Sequence, residues 1–567
     1  MSQTKTLRDK KRQLGQFLTP PAIAERLAEL PLSRDSAVLE PSFGDGAFIL
    51  PLIENFLPLY DGPIPERLDQ ILTRNIYGVE IDPVLYGQCF HKIKLRWGYC
   101  PARHNLVCAD FFRTGFAACF DFVIGNPPFG GTIAPDIQDK LDKELGWRGG
   151  LKIKKETYSF FIVKCLDLLK PSGHLRFICS DTFLTINTMQ GLRRLLLESG
   201  APTVTRMDEF SEETRYAMVV LDFAKTGPAP ALTLDGSAVP RERIALTGNH
   251  SWQITGDYAP YFAGPKLGDF LIATSGMTIG NNTLFVREIK SGTICEPFAF
   301  TFIDTPITLE NEVRRARLGR LSPQKRAQIA AQVCRGATRR TVRVTPRETP
   351  LELRLPHPDY RVYNKAYRAL VYAPPTHAVF WKDDGDAVLT FKKNGAWYLH
   401  GVGGQKFFGL EGLTWQLISQ TLNARYLPPG CILDSGAPCA FLREGVDPSE
   451  LYFVLGWTLS PFCLALLKNV INHTKNIQGK DFERLPYPFW VPPEAKRQCI
   501  ERVRQMVQDA QAGRVFRRGD AELELGRLYE QFGTGTGSAG LLLNGSVSDT
   551  EEKPADTLFS CGATFTL

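Results

Sequence analysis

The stretch Asp121-Phe122-Val123-Ile124-Gly125-Asn126-Pro127-Pro128-Phe129-Gly130 decides how the rest of the chain is interpreted. It opens with a short run of aromatic and β-branched residues, 122–124, which predicts a buried strand. Two prolines then end the strand, because neither can donate a hydrogen bond and each favours an extended residue before it. The result is a stiff loop at the carboxyl end of a strand, where open α/β sheets bind their ligands.

This loop carries two fixed hydrogen-bond acceptors and one aromatic ring. Asn126 offers a side-chain carbonyl, Pro127 offers a main-chain carbonyl on a backbone that Pro128 restricts, and Phe129 offers a ring face. Such a set suits an exocyclic amino group on a flat ring, because the two acceptors take its two N–H bonds while the aromatic face holds the ring. Taken alone, the four residues are equally consistent with an ordinary turn and a packed phenylalanine.

An earlier segment, residues 37–48, predicts a strand, a glycine-rich turn and a helix from Ala47 onward. This is the geometry of a first βα turn, where glycines let the backbone approach a ligand. Its acids would repel a pyrophosphate but attract a cationic ligand, such as the amino and sulfonium groups of S-adenosylmethionine. The candidate cofactor-binding residues of this turn are Glu40, Pro41, Ser42, Gly44, Asp45 and Gly46.

The second and third predicted strands also end in acids. Glu80, followed by Ile81, is a candidate to accept from both hydroxyls of a ribose. Asp110 is a candidate acceptor for an adenine amino group, and Phe111 is a candidate cover for the adenine ring. Any one of these acids is also explained as a helix cap or a solvated carboxylate, but three of them in register with the Asn126 loop indicate one site. Before them, Thr19 is predicted to cap a helix that begins with prolines.

In this order the motifs resemble those of the gamma-class, TaqI-like adenine-N6 DNA methyltransferases, over about residues 15–225. The resemblance implies an α/β fold: a Rossmann-like class I methyltransferase domain with a mixed, mainly parallel sheet, followed by a mixed α+β target-recognition domain. It implies S-adenosylmethionine as the cofactor, with Phe17, Thr19 and Pro20 in its amino-terminal binding element and Asn126 also in contact with it.

The same resemblance implies the reaction, which is methyl transfer to the N6 amino group of adenine in double-stranded DNA. Asn126, Pro127, Pro128 and Phe129 would then be catalytic. The base cannot reach the loop inside a duplex, so it must be flipped out and stacked, on Phe129 and on Phe223.

Composition is that of a globular protein with several domains: 567 residues, 43% hydrophobic and 22% charged, with a net charge of +7. The 13 cysteines and eight histidines show no zinc-type spacing, so we expect no metal site. The amino terminus has no apolar signal segment, and residues 451–467 predict a buried helix that is short for a membrane span. We therefore expect a cytoplasmic protein of a bacterial or archaeal cell.

The second half contains an unopposed basic run, residues 314–347, with eleven Lys or Arg and no Asp or Glu. Such a run predicts contact with a phosphate backbone, whereas a solvated face is normally mixed in sign. A loop rich in amides, residues 472–478, is a second candidate for facing nucleic acid. The predicted DNA contacts are Arg314, Arg315, Arg317, Arg335, Arg339, Arg340, Arg343, His473, Lys475 and Asn476.

Five segments are predicted along the chain. They are a basic flexible amino terminus (1–14), a catalytic domain (15–235), a target-recognition domain (236–490), carboxy-terminal helices (491–532) and a disordered tail (533–567). Cytosine-N4 methylation, amino-methylation of RNA or protein, and a DNA-binding subunit with a degenerate methyltransferase fold remain as alternatives. Whether the protein acts alone or with restriction or defence-system subunits is open at this point.

Overall fold

The structure is a computed structural model. It describes residues 18–116, 120–129, 133, 135–207, 217–254, 258–306, 331, 338–367, 369–390, 392–393, 396–397, 404–516 and 529. The predicted terminal segments 1–14 and 533–567 lie outside these residues, as does a second carboxy-terminal helix that the sequence predicts around residues 523–528.

The first half of the chain builds one large sheet. Its strands, with one separate hairpin (β5–β6), are β1 (Val38–Glu40), β2 (Ile76–Glu80), β3 (Asn105–Cys108), β4 (Phe120–Gly125), β5 (Trp147–Arg148), β6 (Leu151–Lys152), β7 (Leu169–Ser180), β8 (Ala201–Met207), β9 (Met218–Ala224), β10 (Ala231–Leu234) and β11 (Ser237–Pro240). The order in the sheet is β11-β10-β8-β9-β7-β4-β1-β2-β3. Pairs are parallel except β7–β9, β8–β9 and β10–β11. The predicted mixed, mainly parallel α/β sheet is confirmed.

Helices cover both faces of this sheet. They are α1 (Pro21–Leu27), α2 (Ile49–Phe56), α3 (Ile64–Gln70), α4 (Pro83–Trp97), α5 (Pro135–Glu144), α6 (Thr157–Leu168), α7 (Gln190–Ser199) and α8 (Arg241–Ala245). Successive strand residues point to opposite faces. On β4, Phe122 and Ile124 therefore join one hydrophobic cluster while Val123 joins the other. Burial on both faces explains why residues 122–124 of this strand are a continuous apolar run rather than an alternating one.

The second half builds smaller sheets. Its strands are β12 (Leu271–Thr274), β13 (Val286–Glu288), β14 (Thr293–Pro306), β15 (Thr338–Arg354), β16 (Tyr360–Asn364), β17 (His377–Phe380), β18 (Lys392–Lys393), β19 (Ala396–Trp397), β20 (Gly412–Thr414), β21 (Arg425–Leu427), β22 (Ile432–Leu433) and β23 (Cys439–Leu442). Two sheets have four strands each, in the orders β12-β23-β20-β21 and β13-β17-β16-β22. The long strands β14 and β15 pair with each other as a two-stranded arm.

Eight further helices accompany these sheets. They are α9 (Ala259–Phe262), α10 (Leu267–Phe270), α11 (Asn282–Phe285), α12 (Lys382–Thr390), α13 (Glu450–Leu459), α14 (Pro461–Leu466), α15 (Gly479–Arg484) and α16 (Pro493–Gln511). The helix predicted from Glu494 is confirmed as α16, whose buried face includes Ile500, Val503 and Met506. In the described residues no single helix is long and apolar enough to cross a membrane. Only the pair 450–459 and 461–471, which is bent by 70°, reaches that length and apolar composition when the two helices are taken together.

The two halves share one hydrophobic cluster, which runs from Leu39 in β1 to Tyr529. The boundary predicted after residue 235 is wrong, because it cuts the hairpin in which Leu234 of β10 pairs with Ser237 of β11. Since β10 also pairs with β8, this hairpin extends the large sheet of the first half. The second half therefore begins after Pro240.

Candidate active site

Asn126 is the point where three separately predicted segments meet. It follows Gly125, the last residue of β4, at the carboxyl end of the parallel strands. Its side-chain amide donates to Thr19 Oγ1 at 3.2 Å, and its main-chain carbonyl accepts from Ser42 Oγ at 3.4 Å. The amino-terminal element, the glycine-rich turn and the Asn-Pro-Pro-Phe loop are thus joined by hydrogen bonds through one residue.

Thr19 does not cap the first helix, so that prediction is wrong. Helix α1 begins at Pro21 with Pro20 as its N-cap residue and has no side-chain cap hydrogen bond. Thr19 is instead buried, and its hydroxyl accepts from Asn126, 107 residues away in sequence. A local helix-start pattern could not reveal this long-range contact.

The glycine-rich turn needs its glycines. Gly44 has φ +57° and donates its amide to Glu80 Oε2 at 2.8 Å. Gly46 has φ +92°, and a Cβ there would lie 2.6 Å from Cys89 Sγ. The turn also packs closely on the Asn126 loop, since a Cβ on Gly125 would lie 3.5 Å from both Glu40 and Pro41. At the site β1 and β4 are neighbouring parallel strands, with Val38 opposite Phe122 and Leu39 opposite Val123.

Two buried carboxylates stand at this edge. Glu40 is 2% exposed, and its Oε2 has no hydrogen-bond partner among the described residues. Burial, with smaller contributions from the charges of Glu80 and Asp45, raises the pKa of Glu40 well above its usual value. Burial also raises the pKa of Glu80, although its carboxylate accepts from the amides of Gly44 and Asp82 at 2.8 and 2.7 Å.

The third acid of this region, Asp45, is neutralised within the protein. Its carboxylate accepts from Lys92 Nζ at 2.6 Å. The prediction that Asp45 attracts a cationic ligand is therefore not supported, and Glu40 and Glu80 remain as the acids that such a ligand would meet. Ile81 is 49% exposed directly after Glu80, so its side chain is accessible to a ligand.

In the third predicted cofactor-binding element, Asp110 and Phe111 make contacts within the protein that the prediction did not include. Asp110 Oδ1 accepts from the amide of Phe112 at 2.9 Å, so the carboxylate caps a short 3₁₀ turn. Phe111 is 3% exposed, and its ring stacks on Phe161 of α6 with centroids 4.8 Å apart. The prediction that Phe111 covers an adenine ring is wrong for this structure, because the ring packs in the core.

The two predicted base-stacking residues are separated. Phe129 is half-buried beside the Asn126 loop, with its ring centroid 5.9 Å from that of Tyr158. Phe223 is 1% exposed and pairs with Leu175 near the end of β9. Because β9 runs antiparallel to β7, its last residues lie at the opposite edge of the sheet from Asn126. The prediction that Phe223 stacks on a base is wrong.

The predicted DNA contacts fall into three groups. Arg314, Arg315, Arg317 and Arg335 lie outside the described residues, as does Phe17 of the cofactor element. Arg339, Arg340 and Arg343 lie on β15, where the Arg343 side chain is exposed. In the loop of residues 472–478, Lys475 and Asn476 are exposed.

His473 of the same loop contacts residues that follow β7 of the large sheet. Its Nε2 lies 3.2 Å from Asp181 Oδ1, and its Nδ1 lies 2.9 Å from Thr185 Oγ1. Asp181, which sequence reasoning missed, directly follows the last residue of β7. The signal that marked Glu80, an acid at a strand end, would have found it. Across the described part of the chain, no group of three or more His, Cys, Asp or Glu is placed to hold a metal ion.

This chain is similar in sequence to restriction-modification methylases and to type II methyltransferases. Residues 99–212 match the Eco57I restriction-modification methylase family. The type II methyltransferase M.TthHB8I of Thermus thermophilus is 30% identical over 234 residues, which are 39% of this chain and 47% of that protein. M.HincII of Haemophilus influenzae is 27% identical over 197 residues, 34% of this chain and 33% of that protein. The chain thus has homologues among type II methyltransferases and spans less than half the length of these two.

Two solved structures share the fold across both halves of the chain. The DrdV–DNA complex has a TM-score of 0.53 at 12% identity, covering 88% of this chain and 57% of that chain. A nuclease-deletion mutant of the type ISP restriction-modification enzyme LlaGI, solved with a DNA substrate mimic, has a TM-score of 0.51 at 12% identity, covering 87% and 47%. At this identity the likeness establishes the fold alone.

Proposed function

We propose that this protein is a site-specific DNA methyltransferase that transfers a methyl group from S-adenosylmethionine to the N6 amino group of a flipped-out adenine in double-stranded DNA. The observation that carries the proposal is the junction at Asn126, where the acceptor loop is hydrogen-bonded to Thr19 and Ser42. The homologous type II methyltransferases support the reaction class.

On the substrate side, the chain supplies a fixed pair of acceptors. The N6 nitrogen of adenine is a poor nucleophile, because its lone pair is delocalised into the ring. Hydrogen bonds from its two protons to Asn126 Oδ1 and the Pro127 carbonyl favour a more tetrahedral nitrogen with a localised lone pair. The bond from Asn126 Nδ2 to Thr19 orients the amide, so the acceptor oxygen does not have to be aligned during the reaction. Phe129 offers the face on which the extruded base stacks.

On the cofactor side, the residues at the edge fit a cationic ligand. Glu40 has a buried carboxylate oxygen that lacks a hydrogen-bond partner in the described part of the chain, and an ammonium donor would satisfy it. Glu80 lies in the next strand, where its carboxylate accepts from the amide of Gly44 in the glycine-rich turn. When bound, S-adenosylmethionine supplies an electrophilic methyl group. Glu40, Glu80 and Ile81 are the residues that would hold it.

The biological role that we propose is modification of DNA within a restriction-modification or phage-defence system. This follows from the relatives, which are type II methyltransferases and an Eco57I-type family. Restriction or defence-system subunits are therefore the proposed protein partners. The two acceptors also fit the N4 amino group of cytosine, so the modified base has to be identified directly.

Single-molecule, modification-aware sequencing tests the proposal. DNA from cells that express the protein is compared with DNA from cells that express Asn126→Ala at the same level. We expect N6-methyladenine at one sequence motif with the wild type and none with the variant. A mark on cytosine would replace adenine by cytosine in the proposal, and no mark on DNA with a well-expressed wild type would contradict it.

A further inference from the structure

A cavity of about 670 Å³ opens on the same edge of the sheet as Asn126. Three remote parts of the chain line it: the ends of β7, β8 and β10, the segment that follows the sheet, and the segment between α14 and α15. The ionisable groups in its lining include Asp181, Arg206, Asp235, Arg243, Lys468 and His473.

The acids of this cavity are already paired inside the protein. Asp235 accepts from the backbone amide of Arg206 at 2.9 Å and forms an ion pair with its guanidinium. Asp181 contacts His473, with Oδ1 3.2 Å from Nε2. Neither carboxylate is therefore placed to neutralise a further cation in the cavity.

Two cations of the cavity have no carboxylate partner among the residues that the structure describes. Lys468 Nζ donates to the neutral carbonyl of Thr474 at 2.6 Å. Within the described residues neither Lys468 nor Arg243 forms an ion pair with a carboxylate. Burial lowers the pKa of Lys468 to about 8, although the charge of buried Asp481 partly opposes this. A bound anion would stabilise the charged form of this lysine.

The cavity lies along the same edge of the sheet as the Asn126 loop, where we propose that the target base binds. Gly125 of β4 pairs with Phe177 of β7, and Asp181 follows β7 at the same edge. Arg206, on β8, is three strands from β4 in the sheet order. At about 4.8 Å per strand this is roughly 15 Å along the edge, which corresponds to about four nucleotides of one DNA strand at about 3.4 Å of helix axis per nucleotide.

We propose that this cavity binds backbone phosphates of the DNA strand next to the target base, with Lys468 and Arg243 as the contacting cations. The proposal rests on the proposed function, because it takes DNA as the substrate. It assigns to the second half of the chain a phosphate contact that lies outside the basic run of residues 314–347. Removing one such contact weakens binding for all sequences and makes it less sensitive to salt.

Fluorescence anisotropy of the full chain with a labelled, mixed-sequence DNA duplex tests this over a series of NaCl concentrations. In Lys468→Met the slope of log affinity against log salt should become shallower by about 1, with an affinity loss of roughly three- to tenfold near 0.15 M salt. Lys94→Met is the matched control, because Lys94 is exposed near the end of α4, at the opposite edge of the sheet. Thermal unfolding checks that each variant is folded, and Arg243→Met repeats the test at the second cation.

If Lys468→Met and Arg243→Met bind with the salt slope of Lys94→Met, the cavity is not a phosphate site. That failure is distinct from failure of the proposed function, which is read from methylation by the wild type. If the wild type methylates DNA but the variants show no change of salt slope, the proposed phosphate site is overturned and the proposed reaction is not. A change of slope without any methylation supports the cavity and overturns the reaction.

Discussion

One edge of the sheet carries two regions of opposite charge. The acidic region, Glu40 and Glu80, lies at β1 and β2, and the basic region, Arg243 and Lys468, lines the cavity at the ends of β7, β8 and β10. Asn126 on β4 stands between them. The acids are close in sequence and are held by their own turn, whereas the two cations come from remote segments, at residues 243 and 468. The proposed cationic cofactor and the proposed polyanionic substrate would thus meet at one amide without sharing a charged surface.

The largest effect is expected at the residue between the two regions. Asn126→Ala removes an acceptor for the reacting amino group, so kcat for methyl transfer should fall at least about 10²–10³-fold. Binding of cofactor and DNA should change far less. A methyl-transfer assay with radiolabelled S-adenosylmethionine measures the rate, and Asn105→Ala, at the start of β3 on the opposite edge, is the control. A variant that keeps the wild-type rate would remove Asn126 from the chemistry.

In the acidic region, Glu40→Gln should weaken cofactor binding while stabilising the cofactor-free protein. Loss of a charge-assisted hydrogen bond of about 1.5–3 kcal/mol corresponds to a roughly 10- to 150-fold higher Kd, measured by calorimetry. Because folding raises the pKa of Glu40, its contribution to stability is present at low pH and is lost as pH rises through the folded pKa. The melting temperature of Glu40→Gln should therefore exceed that of the wild type near pH 8 and converge with it near about pH 4.

Glu25→Gln is the control for this pair of measurements, since Glu25 is exposed on α1. It should change neither the cofactor Kd nor the pH dependence of melting. If Glu40→Gln were less stable than the wild type near pH 8, the burial of an uncompensated carboxylate at this edge would be disproved.

In the basic region, a smaller effect is expected at His473, which ties the segment before α15 to the loop after β7. His473→Ala removes the contacts with Asp181 and Thr185, so the free energy of unfolding should fall by about 1–2 kcal/mol. Affinity for DNA should fall several-fold because Lys468 is less well positioned, while the cofactor Kd stays unchanged. His91→Ala, exposed on α4, provides the comparison. An altered cofactor Kd in His473→Ala would mean that the two regions are not independent.

The large sheet of the first half could be predicted from the sequence because the signals for its strands are local. Apolar runs mark the strands, and glycines and prolines mark where they end, so β1, β2 and β4 and the loops after them follow from short stretches. The parallel arrangement then brings Glu40, Glu80 and Asn126 to one edge. Nothing beyond strand identity and order is needed for that step.

The site predictions that failed concern residues whose position depends on contacts between remote parts of the chain or on strand direction. Thr19 has the pattern of a cap, yet its partner is Asn126. Phe111 and Phe223 have the pattern of ligand-facing aromatics, yet Phe161 and the antiparallel course of β9 place both rings in the core. Lys468 had no sequence signal, because its role in the cavity depends on neighbours that only the tertiary structure supplies.

The smallest effect is expected from two variants that distinguish Phe223, an aromatic of the core, from Phe129, which we propose faces the target base. Phe223→Leu should cost about 0.5–1.5 kcal/mol of stability, because it removes roughly one methylene's volume from a packed core. It should leave the fluorescence of 2-aminopurine at the target position, a reporter of base flipping, as in the wild type. Phe129→Leu removes a stacking face worth about 1–3 kcal/mol per base, so it should reduce that signal. Equal loss of signal in the two variants would return Phe223 to the substrate side and contradict its placement at the far edge of the sheet.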